Sequence, residues 1–281
     1  MYSKVTIIGA GLIGGSLALL IKRLRPDIKI TGVDLPEITD SLPTDSPFDS
    51  LFTAEKIGDA VGEADLSVLA LPNNQILKTL PDVLSLAKNG SVVCDVGSVK
   101  QPILKEASKH SSSNISFIGG HPIGGSEEQG FEAASADLLD GVRFIICPAE
   151  NVSKEVTRTH TDFLESLNFK VLEMEASVHD KLIAFTSHLP QLLSTALSLS
   201  VGSVDKAALT VGPGFSATTR LAASPAKIWD EIFQLNKKNL LDAVNTLTSV
   251  ISDLKDKIEN GSIEDQILLA AKLRSKMLRE D

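Results

Sequence analysis

A histidine between two pairs of glycines has the surroundings best suited to chemistry in this sequence. Residues 117–125 read Phe-Ile-Gly-Gly-His-Pro-Ile-Gly-Gly, with the histidine at position 121. Glycine lets backbone pass close to a ligand and proline fixes φ, so we expect His121 on a short, constrained segment where an apolar strand ends. An imidazole there can accept or donate a proton near neutral pH. The alternative is a glycine-rich turn in which His121 only ends the strand.

A second glycine pattern predicts a nucleotide site. Residues 9–14, Gly-Ala-Gly-Leu-Ile-Gly, follow an apolar strand at 5–8 and open a helix over 12–23. In the dinucleotide fingerprint the first glycine makes a tight turn, the second admits the pyrophosphate and the third lets helix pack on strand. The helix N-terminus offers free N–H groups to the phosphates. The predicted cofactor contacts here are Gly9, Gly11, Leu12, Ile13 and Gly14; the alternative is a strand-turn-helix that binds nothing.

The next two strands supply the other predicted cofactor contacts. The strand at 28–33 ends in Asp34, where an acid bonds the ribose hydroxyls of the nucleotide. A carboxylate repels a 2′-phosphate, and Leu35 and Pro36 supply no cation, so NAD is favoured and NADP stays possible. Leu71 and Pro72, which end the strand at 65–71, complete the set.

Two further polar residues are placed to reach the same site. Ser98 lies just beyond the strand at 91–95, at the edge of the sheet that carries the glycine fingerprint. His188 precedes Pro190, which removes one N–H from a helix that otherwise runs over 178–201. His179 is nine residues earlier and at 100° per residue faces the opposite side of that helix. We therefore expect His188 to line the pocket and His179 to be structural or interfacial.

Two cations are candidates for holding a substrate carboxylate. Arg220 follows a glycine-rich loop in Gly-Pro-Gly-Phe-Ser-Ala-Thr-Thr-Arg at 212–220, and a guanidinium grips a carboxylate bidentately. The alternative is an arginine that faces solvent. If Arg220 faces solvent, Lys100 is the next candidate to bind the substrate carboxylate.

The elements that position these residues change in type near the middle of the chain. Strands and helices alternate as far as residue 174, which predicts a doubly wound α/β sheet. A loop is expected over 35–49 and a helix around 130–139. Beyond 174 the pattern is helical, with a stripe at Leu240, Val244, Leu247, Ile251, Leu254 and Ile258. We predict a Rossmann-type domain over 1–175 and an all-helical domain for substrate and dimer contacts over 176–281.

Composition excludes several other classes. The net charge is −9 and no block of Lys or Arg stands out, so nucleic acid is not an expected partner. Cys94 and Cys147 lie in apolar runs and are predicted to be buried packing residues in a reducing cytoplasm, not a disulfide. No His, Cys or Asp spacing predicts a metal site, and no membrane-spanning or membrane-binding segment is expected.

Five motifs in order resemble those of the prephenate and arogenate dehydrogenases, over nearly the whole chain. They are the glycines at 9–14, Asp-Val-Gly-Ser-Val-Lys at 95–100, Gly-His-Pro at 120–122, Ser-His-Leu-Pro at 187–190, and Gly-Phe at 214–215 with Thr-Arg at 219–220. The segment Ile-Trp-Asp-Glu-Ile at 228–232 is similar to a tryptophan-bearing segment of the family.

The resemblance implies an enzyme of tyrosine biosynthesis that oxidises and decarboxylates a cyclohexadiene, without a metal, as a cytoplasmic homodimer. It implies that His121 polarises the ring hydroxyl and takes its proton, and that Ser98 helps to hold that hydroxyl and the nicotinamide. His188 and Arg220 match substrate-binding positions, with Arg220 on a carboxylate. The family's fold is a nucleotide-binding α/β domain followed by a helical dimerisation domain.

The sequence also departs from the family's pattern. Ser216 and Ala217 replace the usual basic residue and aspartate, and that aspartate would pair with the arginine and with an acid matching Glu127.

The motifs leave open whether the substrate is prephenate or arogenate. A β-hydroxy-acid dehydrogenase would need a catalytic lysine in the helical domain, which nothing marks, and a nucleotide sensor without catalysis would need neither His121 nor Arg220.

Overall fold

The computed structural model describes residues 2–110, 114–126 and 128–278. They divide into two compact units, Met1–Asn236 and Lys237–Asp281. The helices of residues 176–236 therefore belong to the same compact unit as the sheet. The predicted domain division after residue 175 stays a prediction.

An eight-stranded sheet forms the centre of the first unit. Its strands are β1 (Lys4–Ile8), β2 (Lys29–Asp34), β3 (Ser50–Thr53), β4 (Leu66–Leu69), β5 (Val92–Asp95), β6 (Ser116–Pro122), β7 (Arg143–Pro148) and β8 (Lys170–Glu173). The spatial order is β3-β2-β1-β4-β5-β6-β7-β8. Only the pairing of β6 with β7 is antiparallel among the strands of this sheet.

Helices cover both faces of the sheet, because its central strands are apolar on both sides. The helices of this unit are α1 (Leu12–Leu24), α2 (Pro36–Thr39), α3 (Ile57–Val61), α4 (Asn73–Leu86), α5 (Gln101–Lys109), α6 (Lys154–Ser166), α7 (Ala176–Ile183), α8 (Leu189–Gly202), α9 (Pro213–Thr219) and α10 (Ala226–Leu235). One buried core includes residues of α1 and α6, and a second includes residues of α3, α4 and α5. The predicted doubly wound α/β fold is confirmed.

Three local predictions need correction. Strand β3 pairs with β2 at the edge of the sheet and was not predicted, because its sequence Ser-Leu-Phe-Thr is short and half exposed. The helix expected around 130–139 is instead two 3₁₀ turns, Phe131–Ala133 and Ala136–Leu138. Strand β6 does not end before its glycines but continues to Pro122, because β7 pairs with it as far as Phe144.

The helix predicted over 178–201 contains a different irregularity from the one expected. The chain runs from α7 through a π-helical segment, Ala184–His188, into α8, and Pro190 takes a position in the first turn of α8. Among the described residues, Ala176–Gly202 is the one run long and apolar enough to cross a membrane by length and composition. This is weak evidence, because core helices pass the same test.

The second unit consists of two helices, α11 (Lys237–Asn260) and α12 (Glu264–Met277). Helix α11 contains the predicted apolar stripe. Gly261 and Ser262 lie between the two helices, and the Ser262 hydroxyl accepts a hydrogen bond from the Glu264 N–H at 3.2 Å.

Candidate active site

The candidate site lies where four neighbouring strands end. Strands β1, β4, β5 and β6 run parallel, so their carboxyl ends meet at one edge of the sheet. Ligands of open α/β sheets bind at such an edge. The residues that follow these strands there are the glycine loop after β1, Leu71 and Pro72 after β4, Ser98 after β5, and the end of β6 itself, which carries His121.

The glycine loop fits a dinucleotide. Gly9 has φ +104°, and a Cβ on Gly14 would lie 1.8 Å from the Gly9 carbonyl oxygen, so the turn and the helix-strand contact both require glycine. A Cβ on Gly11 would meet nothing within 4 Å, which leaves open space beside the loop. No side chain caps the N-terminus of α1, so Leu12 and Ile13 present backbone N–H groups there.

Asp34 is held beside this loop. Its Oδ2 accepts a hydrogen bond from the Ala10 N–H at 2.7 Å and its Oδ1 accepts one from the Leu35 N–H at 2.7 Å. Leu71 lies against Gly9, since its Cδ2 would be 3.0 Å from a Cβ there. The predicted cofactor contacts from β1, β2 and β4 therefore surround one loop.

His121 lies on β6, where it pairs with Ile145 of β7. Its Nδ1 lies 2.8 Å from Nε2 of His179, and the two rings meet edge to face. Burial lowers the pKa of His121 well below 6.5, and the charges of His179, Lys100 and His188 lower it further. His121 is therefore a neutral imidazole at neutral pH, which is the state that a general base requires.

His179 links His121 to a carboxylate through hydrogen bonds. The Asp180 Oδ1 accepts a hydrogen bond from His179 Nδ1 at 2.7 Å. The same carboxylate accepts from the backbone N–H groups of Lys100 at 2.7 Å and Gln101 at 2.9 Å, at the start of α5. His179 and Asp180 are almost completely buried.

The prediction that His179 faces away from His188 is wrong. The π-helical segment between them adds about one residue to a helical turn. The nine residues from His179 to His188 therefore rotate about the helix axis by the angle that eight residues of a regular α-helix would cover. The two side chains then project about 80° apart instead of 180°. His179 reaches His121 for this reason, and the single proline that the sequence showed did not reveal the bulge.

His188 is buried at the other end of the π-helical segment. Its Nδ1 accepts a hydrogen bond from the Asn236 amide at 3.2 Å, and that amide also donates to the Asp180 carbonyl at 2.7 Å. Its ring lies against Trp229 and Phe233, at centroid distances of 6.1 and 6.4 Å. Burial is the main cause that lowers the pKa of His188 to about 4. Its Nε2 is buried and has no hydrogen-bond partner among the described residues.

Lys100 requires a correction to its predicted role. Its side chain is 0% exposed, and its ammonium donates to the Asp95 carboxylate and to the Gly120 carbonyl, the latter at 2.6 Å. Asp95 also accepts from the Gly97 and Gly120 N–H groups, at 2.8 and 3.2 Å. Burial raises the pKa of Asp95, and Lys100 with these donors opposes that rise. Lys100 ties β5 to β6, and its buried, paired ammonium contradicts the predicted role of binding a substrate carboxylate.

Ser98 lies in the turn after β5 and is partly exposed. Its N–H donates to the Asn73 side chain at 3.0 Å, and Asn73 is the first residue of α4. This bond joins the turns that follow β4 and β5. It holds Ser98 at the edge where the nucleotide loop lies.

Arg220 starts a 3₁₀ turn, Arg220–Ala223, and is exposed. The turn is fixed to α8, because the Ser194 hydroxyl accepts a hydrogen bond from the Ala222 N–H at 2.9 Å. Ser216 and Ala217, the two departures from the family pattern, are exposed on α9. Glu127, the acid expected to face the arginine, lies outside the described residues.

The sequence did not point to Asp180, Asn236 or Asn73. Each is a buried polar residue whose partners are backbone groups or histidines of other elements. Buried polar side chains are hydrogen-bonded in folded proteins, but their partners cannot be read from sequence spacing. Cys94 and Cys147 are free and buried, as predicted.

Comparison with known proteins identifies the family of the chain. The family model "Prephenate dehydrogenase, nucleotide-binding domain" matches residues 17–173, and "Prephenate dehydrogenase, dimerization domain" matches residues 175–274. The chain belongs to the prephenate dehydrogenase family. The predicted family is confirmed, and the chain is an oxidoreductase of that family with a nucleotide-binding domain.

Three relatives illustrate the similarity. A prephenate dehydrogenase of Lactococcus lactis is 28% identical, covering 98% of this chain and 77% of its own length. A cyclohexadienyl dehydrogenase of Zymomonas mobilis is 30% identical, covering 91% of this chain and 87% of its own length. The crystal structure of a prephenate dehydrogenase from A. aeolicus, in complex with hydroxyphenyl propionate and NAD+, is 26% identical with a TM-score of 0.85, covering 99% of this chain and 98% of that one.

Proposed function

We propose that this enzyme converts prephenate to 4-hydroxyphenylpyruvate with NAD, and that His121 is the base of the reaction. The observation that carries the proposal is the state of His121. It is a neutral imidazole at the nucleotide-binding edge of the sheet, its Nδ1 is held by His179, and its Nε2 has no hydrogen bond to the described residues. A neutral ring with one free nitrogen can accept a proton from a substrate hydroxyl.

The chemistry balances with one proton acceptor. When bound, NAD supplies the acceptor for the hydride that leaves the carbinol carbon. His121 Nε2 takes the hydroxyl proton as that carbon becomes a carbonyl. The bond from the ring to its carboxylate then breaks, CO2 leaves, and the electron pair makes the ring aromatic. His121 can return the proton to the phenolate oxygen, so the cycle needs no second base.

The other predicted site residues position the substrate. The Ser98 hydroxyl is proposed to bond the ring hydroxyl beside the nicotinamide. His188 carries its proton on Nε2, because Nδ1 accepts from Asn236, so it offers the substrate a neutral N–H donor. Arg220 is proposed to bind a substrate carboxylate bidentately, because its turn is fixed to the same helix that begins after His188.

The proposed cofactor is NAD, with NADP a weaker alternative. The A. aeolicus relative was crystallised with NAD+, and the carboxylate of Asp34 would repel a 2′-phosphate. Contacts with NAD are proposed for Gly9, Gly11, Leu12, Ile13, Gly14, Leu71 and Pro72, in addition to Asp34.

The enzyme is proposed to be a cytoplasmic homodimer. Residues 175–274 match a dimerization domain. The second unit exposes large apolar residues along α12, among them Ile267, Leu268, Leu269, Leu273 and Met277, each at least 46% exposed. An apolar surface of this kind is typical of a protein interface.

One assay tests the proposal. Formation of reduced cofactor is measured spectrophotometrically with prephenate or arogenate and with NAD or NADP. We expect the highest kcat/KM with prephenate and NAD. Higher kcat/KM with arogenate would reassign the substrate, equal or higher kcat/KM with NADP would contradict the cofactor, and no turnover of either substrate would overturn the function.

A further inference from the structure

A continuous chain of hydrogen bonds connects His121 to the start of helix α5. The first bond joins His121 Nδ1, on strand β6, to His179 Nε2 at 2.8 Å. The second joins His179 Nδ1 to Asp180 Oδ1 at 2.7 Å. It ends on the backbone N–H groups of Lys100 and Gln101. His179 and Asp180 are 0% and 1% exposed, so no solvent competes for these bonds.

The direction of each hydrogen bond follows from the end of the chain. The Asp180 carboxylate can only accept, and it accepts from His179 Nδ1, so this nitrogen of His179 carries a proton. A His179 ring with this one proton has a lone pair on Nε2, to which the adjacent His121 Nδ1 must donate. This places the single proton of neutral His121 on Nδ1 and leaves its Nε2 without one.

We propose that His179, oriented by Asp180, is a positioning residue that holds His121 in the tautomer with a free Nε2. This inference rests on the proposed function, in which Nε2 takes the substrate hydroxyl proton. As His121 becomes an imidazolium, its Nδ1–H keeps donating to His179 Nε2, and that ring keeps donating to the Asp180 carboxylate. A Ser-His-Asp triad orients its imidazole by the same logic.

Charged and polar groups surround His121 and His179, and Asp180 is the carboxylate bonded to this pair of histidines. The Lys100 ammonium, whose charge acts on His121, is paired with Asp95 on the sheet. His188, on the π-helical segment, offers a neutral ring, and the Asn236 amide donates to the Asp180 carbonyl. Positive charge on His179, Lys100 or His188 opposes a positive charge on His121. Asp180 is the carboxylate in contact with the pair.

Two substitutions at one position separate this role from a packing role. In His179→Asn the amide reproduces Nδ1 and keeps the contact with Asp180 but cannot reach His121. In His179→Gln the amide oxygen can lie near the place of Nε2 and accept from His121 Nδ1. We expect kcat to fall roughly 10²-fold in His179→Asn with KM little changed, and His179→Gln to recover most of that loss.

His160→Gln is the matched control. His160 is equally buried but lies on α6, away from the candidate site. Its Nδ1 contacts the Tyr2 hydroxyl at 3.1 Å. It should keep kcat within about threefold of the unaltered enzyme, as expected of a substitution outside the site. Circular dichroism and thermal melting of all three variants establish that they are folded.

A second measurement does not depend on turnover. Nitrogen-15 NMR of histidine-labelled enzyme without substrate reports which ring nitrogen carries the proton. We expect His121 protonated on Nδ1 in the unaltered enzyme and in His179→Gln, and a mixture of tautomers in His179→Asn. Protonation of His121 on Nε2 in the unaltered enzyme, or equal kcat in both His179 variants, would overturn the proposal. If the unaltered enzyme turned over neither substrate, the proposed function would fail while the NMR result still tested the tautomer.

Discussion

Burial and neighbouring charge decide which histidine of this site can act as a base. His121, His179 and His188 lie close enough to influence one another, and burial is the largest cause that lowers the pKa of both His121 and His188. His188 has Nδ1 occupied by Asn236 and so offers a proton, whereas His121 in the proposed tautomer donates from Nδ1 to His179 and offers a lone pair on Nε2. Two similar rings thus receive opposite roles from their partners.

The pH dependence of the reaction tests this assignment. The pKa of His121 lies below 6.5 because its charged form is desolvated and repelled. A base works only when it is neutral, so kcat/KM should be constant above 6.5 and fall as pH decreases through the lower pKa of His121. The profile is measured with prephenate from pH 4.5 to 8. An acid limb at or above 6.5 would contradict the assigned environment.

Arg220 should contribute to binding more than to the chemical step. A charge-assisted pair with a carboxylate contributes about 1.5–3 kcal/mol, so Arg220→Ala should raise KM roughly 10- to 100-fold with a smaller change in kcat. The Ala217→Asp enzyme should remain folded and active, and its KM for the substrate should change more than its kcat. Arg158→Ala, at an exposed arginine of α6, is the control. An unchanged KM for both substrates in Arg220→Ala would assign Arg220 to the surface.

Local motifs predicted more of the site than did helix geometry. Gly9, Gly14, Asp34, Ser98 and His121 were predicted from strand ends, and the structure brings them to one edge of the sheet because consecutive parallel strands end there. His179 was misplaced, since the prediction assumed a regular α-helix through a π-helical segment. Lys100 was misplaced because a sequence does not show that a cation near a site is already paired with a buried carboxylate.

At the scale of elements, the turn from β1 into α1 makes a prediction that separates folding from cofactor binding. A methyl group on Gly14 would lie 1.8 Å from the Gly9 carbonyl oxygen, whereas one on Gly11 would meet no atom within 4 Å. Gly14→Ala should therefore lower the melting temperature, because α1 must move away from β1. Gly11→Ala should melt normally and bind NAD more weakly, since the methyl group occupies space proposed for the pyrophosphate.

Thermal melting and an NAD titration of both variants check this prediction. The single Trp229 provides a fluorescence signal for the titration. Normal stability of Gly14→Ala would contradict the described contact between helix and strand. Normal NAD affinity of Gly11→Ala would place the pyrophosphate elsewhere.

The fold class was predictable from periodicity, but its edges were not. The central strands are continuous apolar runs, which sequence patterns identify well. Strand β3 is short and half exposed. The 3₁₀ turns at Phe131–Ala133 and Ala136–Leu138 lie in a stretch of helix-forming residues. Such segments depend on what they pack against, and a single sequence does not contain that information.

At the scale of the whole molecule, the second unit carries the prediction of oligomeric state. Leu268 of α12 is 61% exposed and belongs to the apolar surface that a second copy is proposed to cover. Light scattering should give a mass twice the 29.9 kDa of one chain. Leu268→Glu should shift that mass toward the single chain, because a buried charge is costly at an interface.

Ser108→Glu adds the same charge at an exposed position of α5 and should leave the mass unchanged. A single-chain mass for the unaltered enzyme would contradict the proposed dimer. A dimer that persists in Leu268→Glu would place the interface on another surface.

The most direct test of the central claim is the turnover number of His121→Asn with saturating prephenate and NAD. The asparagine amide lies near the position of Nδ1 and can keep the hydrogen bond to His179, so the substitution removes mainly the nitrogen that accepts the proton. We expect kcat to fall by roughly 10²–10⁴, with the Kd for NAD essentially unchanged. A folded His121→Asn enzyme with near-normal kcat would contradict the account, because His121 would then only end its strand.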